Sequence, residues 1–357
     1  MPSQPMVVMR HDAATLRAMA QAMLERVGLS SDRAADVADI LVEGDLMGHD
    51  THGLQLLPTY LAEIESGSMA VEGDFDVLAD RAAVATWDGK RLPGPWLTLR
   101  AMDSAMARAR DYGTGTVTIR RAHHIGCLAA YLERAAQAGF VILLYSSAPA
   151  AQSVAPFGGT HPLFSPSPMA AGFPTPQGPV LIDVSTSITT VGMTTRLYKQ
   201  GKRLPHPWLI DEHGNASNDP AVLFAPHAGS ILPLGGLDAG HKGYALSLMV
   251  EALTAGLSGH GRDDPGKNWG NTVFLQILDP SAFAGEEAFA EQMGWIARAC
   301  TDNPPRPGVD RVRLPGQGAL ERKARQLRDG VALNPAILSQ LQPWLEKFGM
   351  TVPAALT

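Results

Sequence analysis

The chain has 357 residues, 45% of them hydrophobic and 18% charged, a balance that supports a sizeable buried core and argues against extensive disorder. Its formal net charge of −6 and the lack of any Lys/Arg block exclude a general nucleic-acid binder. No apolar run is long enough to span a bilayer, the stretch MPSQPMVVMRHDAATLR lacks the apolar core of a signal peptide, and the only two cysteines, Cys127 and Cys300, are far apart; the expectation is a cytoplasmic protein with reduced thiols and no membrane partner.

The first part of the chain reads as helical. Asp12 can cap a helix running to Gly28, with Leu16, Met19, Met23, Leu24 and Val27 as its apolar stripe. A second helix starts at Ser30 or Ser31 with Val37, Ile40 and Leu41 inward, and a third begins at Pro58 and stops near Gly67. Between them lies GDLMGHDTHG, Gly44 to Gly53, expected at or just past the end of the second helix. From Asp76 the pattern changes to a strand over Val77–Trp87, a helix over Leu97–Arg110 ended by Gly113, a strand over Thr116–Ile119, a helix over Cys127–Gln137 closed by Gly139, and a strand over Phe140–Tyr145. Alternation of this kind by itself suggests a doubly wound parallel sheet, yet the strand, G-x-G-x-x-G, helix order of a Rossmann unit is missing.

Ala148–Pro176 is rich in Pro, Gly and Ser and too long for a passive connection. Pro179–Asp183 reads as a strand, and residues from Gly201 to about Ser230 read as loop. Leu232–Gly259 is a glycine-rich approach to a long helix, so apolar that burial at the centre of the core is expected. A strand over Asn271–Leu278, a helix over Glu286–Cys300, a Pro-rich loop and two helices, about 320–328 and 336–348, complete the chain.

Four stretches carry groups suited to chemistry. The first, Gly44–Gly53, sets His49 and His52 among glycines and the carboxylates of Asp45 and Asp50, and histidine exchanges protons near neutrality. The second, Arg120–Gly126, places His123 and His124 between a strand and a helix, where the helix N-terminus favours a neutral imidazole. In the third, Gly235–Gly243, amides at a helix start stand beside His241 and Lys242, an arrangement suited to phosphate or carboxylate. The fourth, Ile182–Ser187, offers a carboxylate and hydroxyls that can pair with a histidine or a ribose, though strand ends also carry such residues as turn chemistry. A three-histidine metal site from His49 and His52 with His124 or His241 is the alternative, and it points to a metal-dependent hydrolase or lyase; no Cys-x-x-Cys or His-Glu-x-x-His supports it. No G-x-S-x-G is present for a serine nucleophile.

Taken in order, these stretches resemble the type-2 malate/L-lactate dehydrogenases, a family that includes sulfolactate and ureidoglycolate dehydrogenases, diketogulonate reductase and piperideine-2-carboxylate reductases. The resemblance rests on Asp50-Thr-His52-Gly, His124-Ile-Gly126, Ala155-Pro-Phe-Gly158-Gly159, Ile182-Asp183 with Ser187, Pro233-Leu-Gly-Gly with His241-Lys242-Gly243-Tyr244, and Leu314-Pro315-Gly316, spread over roughly residues 10 to 345. It implies an α+β fold with non-Rossmann dinucleotide binding: a helical substrate domain from both chain ends (1–118 and 236–357) and a middle, NAD(P)-binding domain (119–235) on a largely antiparallel sheet. It also implies hydride transfer between a nicotinamide cofactor, NAD or NADP with NADP slightly preferred, and a small 2-oxo/2-hydroxy acid or cyclic imine.

By the same resemblance His52 is the proton donor, His124 an acid/base, and Asp183 the group that orients the imidazole or contacts the cofactor. Leu181, Ile182, Asp183, Val184, Ser185, Thr186, Ser187, His241, Lys242, Pro315, Gly316 and Gln317 fall where the family holds its cofactor; no metal is implied, and a homodimer is. A non-catalytic relative that keeps cofactor binding is the third reading. Two departures bear on the substrate and the site. Leu56 stands where the family often has an arginine for a substrate carboxylate, and Gln317 replaces the usual Glu of Pro-Gly-Glu.

Overall fold

The computed structural model describes residues 9–356; the first eight residues, the start of the stretch read above for a signal, lie outside the described residues. In chain order come β1 (Arg10–His11), α1 (Ala13–Arg26), α2 (Ser31–Met47), α3 (Leu57–Glu65), β2 (Asp76–Arg81), β3 (Val84–Asp88), α4 (Gly94–Tyr112), β4 (Thr114–Ala122), α5 (Ala129–Gln137), β5 (Val141–Ser147), β6 (Pro168–Phe173) and β7 (Val180–Ser185). Then follow α6 (Val191–Lys199), β8 (Leu209–Ile210), β9 (Ala216–Ser217), β10 (Ser230–Ile231), α7 (Gly236–Glu251), β11 (Asn271–Leu278), α8 (Glu286–Thr301), α9 (Gln317–Asp329), β12 (Val331–Ala332) and α10 (Pro335–Phe348).

Helices from both ends of the chain share one core. The Asp12 carboxylate accepts the Thr15 amide at 2.9 Å and so starts α1, and Gly48, at φ +87°, ends α2. Leu16 and Met23 of α1, Leu41 of α2, Leu57 and Leu61 of α3, and Ile337, Leu341 and Leu345 of α10 are all buried in this cluster. The antiparallel pair β1–β12 ties the two ends together.

A second core lies on a seven-stranded sheet in the order β2-β3-β4-β11-β5-β6-β7. Only β3 and β4 run parallel; every other neighbouring pair is antiparallel. The parallel sheet suggested by helix–strand alternation is therefore not what forms. Helices α4 and α5 cover one face, with Leu97, Met102 and Leu132 packed on Val117, Ile142, Leu144 and Val273. The expected boundary at residue 118 falls inside β4, and β11, from beyond residue 236, pairs between β4 and β5, so the sheet draws on all three stretches of the chain. This follows from burial: β11 is covered on both faces along most of its length, which fits a central place.

Three local readings change. Val77–Trp87 is a hairpin, β2 turning into β3 at Ala82, which adopts φ +48°. The Pro-rich segment after Ala148 contains strand β6, and α6 forms from a sequence rich in β-branched residues because Thr190 caps it, its hydroxyl accepting the Met193 amide. Most consequentially, α7 is not a central core helix. Its buried face is made of small residues, Gly240, Gly243 and Ser247, which let it approach the loop at Leu234 and Thr186 closely. Its large apolar residues Leu237, Leu248 and Met249 are exposed, as is Leu257 beyond its end.

The end of α2 is built to hold a turn against itself. A Cβ on Gly53 would lie 2.4 Å from the Asp45 carboxyl, so that glycine allows the close return, and one on Gly44 would press on the His52 carbonyl oxygen at 3.1 Å. Asp45 is only 5% exposed; Oδ2 accepts the Leu54 amide at 2.8 Å and Oδ1 has no partner. Burial pushes its pKa up to about 8. Since the folded value exceeds the unfolded one, the folded state holds a proton that the unfolded state loses above pH 4, and stability falls as pH rises from about 4 to 8. Asp45→Asn, neutral at every pH, is expected to flatten this fall. Urea denaturation across that range checks it, and parallel pH profiles for both proteins would contradict it.

Candidate active site

The His52 loop leaves α2 through Gly48 and runs in two single turns of 3-10 helix, Asp50–His52 and Leu54–Leu56. His52 Nδ1 lies 2.9 Å from the Thr51 hydroxyl, which orients the ring. Its imidazole stacks on that of His124, centroids 5.9 Å apart. Two groups with no motif of their own hold His124. Its Nδ1 accepts the Gly126 amide at 3.2 Å and lies 2.8 Å from the Tyr60 hydroxyl, so the neutral ring carries its proton on Nε2. On its face Trp269 stacks at 4.3 Å. A buried tyrosine requires a polar partner, and a tryptophan in the polar loop before β11 requires something to cover; those are the sequence signals that mark Tyr60 and Trp269.

Burial drives both imidazoles toward the neutral form. His52 is lowered from the ordinary histidine value, with the Asp183 carboxylate opposing. His124 is lowered well below it, first by burial and then by the neighbouring histidines, and not by the helix start invoked from sequence; that start, Ala129, is capped instead by Asp183. Asp183 Oδ2 accepts the Ala129 amide at 2.9 Å and the Cys127 thiol at 3.7 Å.

A cleft of about 820 Å³ opens beside Asp183, walled by Met47, His49, Ala129, Leu181, Pro315 and Gly316. Arg306, Arg311 and Arg313 line its outer part. Gly316, at φ +81°, seats the start of α9 on β7: a Cβ there would fall 2.6 Å from Leu181 Cβ and 2.8 Å from its carbonyl oxygen, and the Leu181 amide donates to the Pro315 oxygen at 3.2 Å. A helix start, three guanidiniums and a carboxylate fit a phosphate-bearing ligand with a polar sugar.

Of the residues expected to hold the cofactor, Leu181, Asp183, Pro315 and Gly316 share this cleft. Ile182 and Val184 follow on β7, with Val184 exposed. Ser185, Thr186 and Ser187 are committed to the chain itself: the Ser185 hydroxyl donates to the Ser187 carbonyl, Thr186 to that of Pro166 and Ser187 to that of Thr189. Gln317 accepts the Leu314 amide at 3.2 Å, and His241 and Lys242 are exposed on α7, away from the lining of the cleft. Leu56 packs against the helical core, while Arg196 of α6 lies 3.1 Å from Asp50 Oδ1, beside the His52 loop. The three-histidine metal set is not assembled. Among the described residues the only group of three or more such donors brought together is His49, Cys127 and Asp183.

Comparison with known proteins gives this geometry its setting. Residues 11–342 match the family model described as malate/L-lactate dehydrogenase. An L-lactate dehydrogenase of Cupriavidus necator is 33% identical over 354 residues, covering 97% of this chain and all of that one. Among solved structures, malate dehydrogenase of Entamoeba histolytica superimposes with a TM-score of 0.90 at 25% identity, over 97% of this chain and 99% of that one. Delta1-piperideine-2-carboxylate reductase of Pseudomonas syringae gives 0.81 at 26% identity, over 94% and 99%. The chain belongs to the malate/L-lactate dehydrogenase family and is an enzyme of the dehydrogenase type.

Proposed function

We propose that the enzyme interconverts a small 2-oxo acid, or a related cyclic imine, and its reduced form with a nicotinamide dinucleotide held in the cleft beside Asp183 rather than by a Rossmann motif. The pairing of His52 and His124 next to this cleft is the observation that carries the reading, since Asp183 both lines the cleft and acts on the His52 charge. The names of the relatives, which include a lactate and a malate dehydrogenase and an imine-acid reductase, support the substrate class.

When bound, the nicotinamide supplies or takes the hydride. Gly316 and Leu181 would seat the dinucleotide, the arginines would hold its phosphates, and Asp183 would be available to its sugar hydroxyls. His52, its Nδ1 turned to Thr51, keeps Nε2 for the substrate; it protonates the oxygen or nitrogen that reduction leaves, and in the reverse direction takes that proton. His124, neutral with its proton on Nε2, serves as a hydrogen-bond donor to the same atom. The lowered pKa of His52 sets the sign of the pH dependence: kcat/KM for reduction falls as pH rises past an apparent pKa below 6.5, and kcat/KM for oxidation rises to a plateau there. His52→Gln is expected to remove this limb and lower kcat by about 10²–10⁴-fold while NADPH still binds; a variant working at the wild-type rate excludes His52 as the acid.

Arg306, Arg311 and Arg313 favour NADP over NAD, although Arg311 is partly engaged by Glu321 at 2.7 Å. Protein-fluorescence titrations with NADPH and NADH test the cofactor. Binding of NADPH the tighter, by at least about tenfold, with the gap narrowed in Arg313→Gln, is expected; binding of neither sinks the reading.

The active form is proposed to be a homodimer. Its support is the exposed apolar surface of α7 and α8, with Leu237, Leu248, Leu257 and a 62% exposed Trp295. Sedimentation equilibrium is expected to give twice the 37.9 kDa chain mass, and Leu248→Glu to weaken the association.

A further inference from the structure

Among the described residues, the one place where three metal-binding side chains converge lies beside the His52–His124 pair and uses neither of those imidazoles. Single donor atoms of His49, Cys127 and Asp183 lie within 4.8 Å of one another. They come from three parts of the chain: the turn after α2, the segment before α5, and the end of β7. Nitrogen, sulfur and carboxylate oxygen form a donor set suited to zinc, which takes four ligands in a tetrahedron. At zinc bond lengths of about 2.0–2.3 Å, tetrahedral donors stand about 3.3–3.8 Å apart, so the widest pair of the trio needs to close by up to about 1.5 Å.

Two of the three donors are already held. Cys127 is 3% exposed and its thiol points at Asp183 Oδ2 from 3.7 Å; that carboxylate is itself fixed by the Ala129 amide at 2.9 Å, the kind of outer contact that orients a metal ligand. His49 and Asp183 both line the cleft, so the trio opens to solvent on one side and leaves the fourth position to water. Cys300, the other thiol, is exposed and not part of the group.

We infer that His49, Cys127 and Asp183 form a three-donor zinc site whose open position faces the cleft. Binding converts the Cys127 thiol to a thiolate and releases its proton to solvent, with no change of oxidation state. The ion takes up the carboxylate that otherwise faces the sugar of the dinucleotide, so zinc and cofactor exclude one another. This exclusion rests on the cofactor reading above; the metal site does not.

The test uses the cofactor-free, full-length protein. Calorimetric titration with zinc chloride is expected to give one equivalent per chain at micromolar or tighter affinity. Cobalt(II), used as a spectroscopic probe, is expected to show a thiolate-to-metal charge-transfer band in the near ultraviolet. Cys127→Ala should abolish the band and weaken zinc about 10–100-fold, and His49→Ala should weaken zinc comparably while the band remains. The two substitutions lie on different segments, so loss of fold in one leaves the other decisive. Absence of stoichiometric zinc binding, a cobalt spectrum without the sulfur band, or unchanged affinity in a folded variant overturns the site. In a second arm NADPH is titrated into zinc-loaded protein. At least about tenfold weaker binding supports exclusion, and undiminished binding overturns the exclusion alone.

Discussion

One buried amide side chain, that of Gln326, holds together the parts on which the site depends. Its Nε2 donates to the Asp45 and Leu46 carbonyl oxygens at 2.9 and 3.0 Å, satisfying the end of α2, and its Oε1 accepts the Ala332 amide of β12 at 2.9 Å. The Asp45 carbonyl also accepts the Gly48 amide at 3.0 Å, and a helix-end carbonyl left buried and unmet costs about 1–3 kcal/mol. Through this residue α9 is latched to the helix that presents His52. Helix α9 itself starts just after Gly316, which is pressed on Leu181 in the cleft wall. A contact about ten residues away along α9 thus sets His52 and the cleft in a common frame.

Electrostatics in this region is governed by exclusion of water more than by pairing. Asp45, His52 and His124 are all displaced toward their neutral forms by burial. Asp183 is half-buried at the cleft wall, where it meets an amide and a thiol.

Much of the fold was legible along the chain. Caps and glycines, Asp12 for α1 and Gly113 after α4, placed helix ends to within a few residues because local backbone geometry decides them. The strand over Asn271–Leu278 was visible as an apolar run. Its place between β4 and β5 was not, because pairing across more than a hundred residues leaves no local mark. The orientation of α7 was misread for a related reason. Apolar content says that a face wants cover, but the small residues Gly240, Gly243 and Ser247 decide which face the chain itself can approach.

For the site, the sequence by itself determined the chemistry: histidines on glycine-bounded turns, a strand-end aspartate, and motifs whose order places the chain in its family. Those features are short and local, and can be read one at a time. Tertiary structure alone decided which of them meet. It set His52 against His124 and gave Tyr60 and Trp269 to the latter, turned Thr186 and Ser187 inward, packed Leu56 against the helical core, and gathered His49, Cys127 and Asp183. The physical reason is that burial and hydrogen-bond satisfaction are properties of the packed chain, and the groups that satisfy one another here lie up to about 280 residues apart.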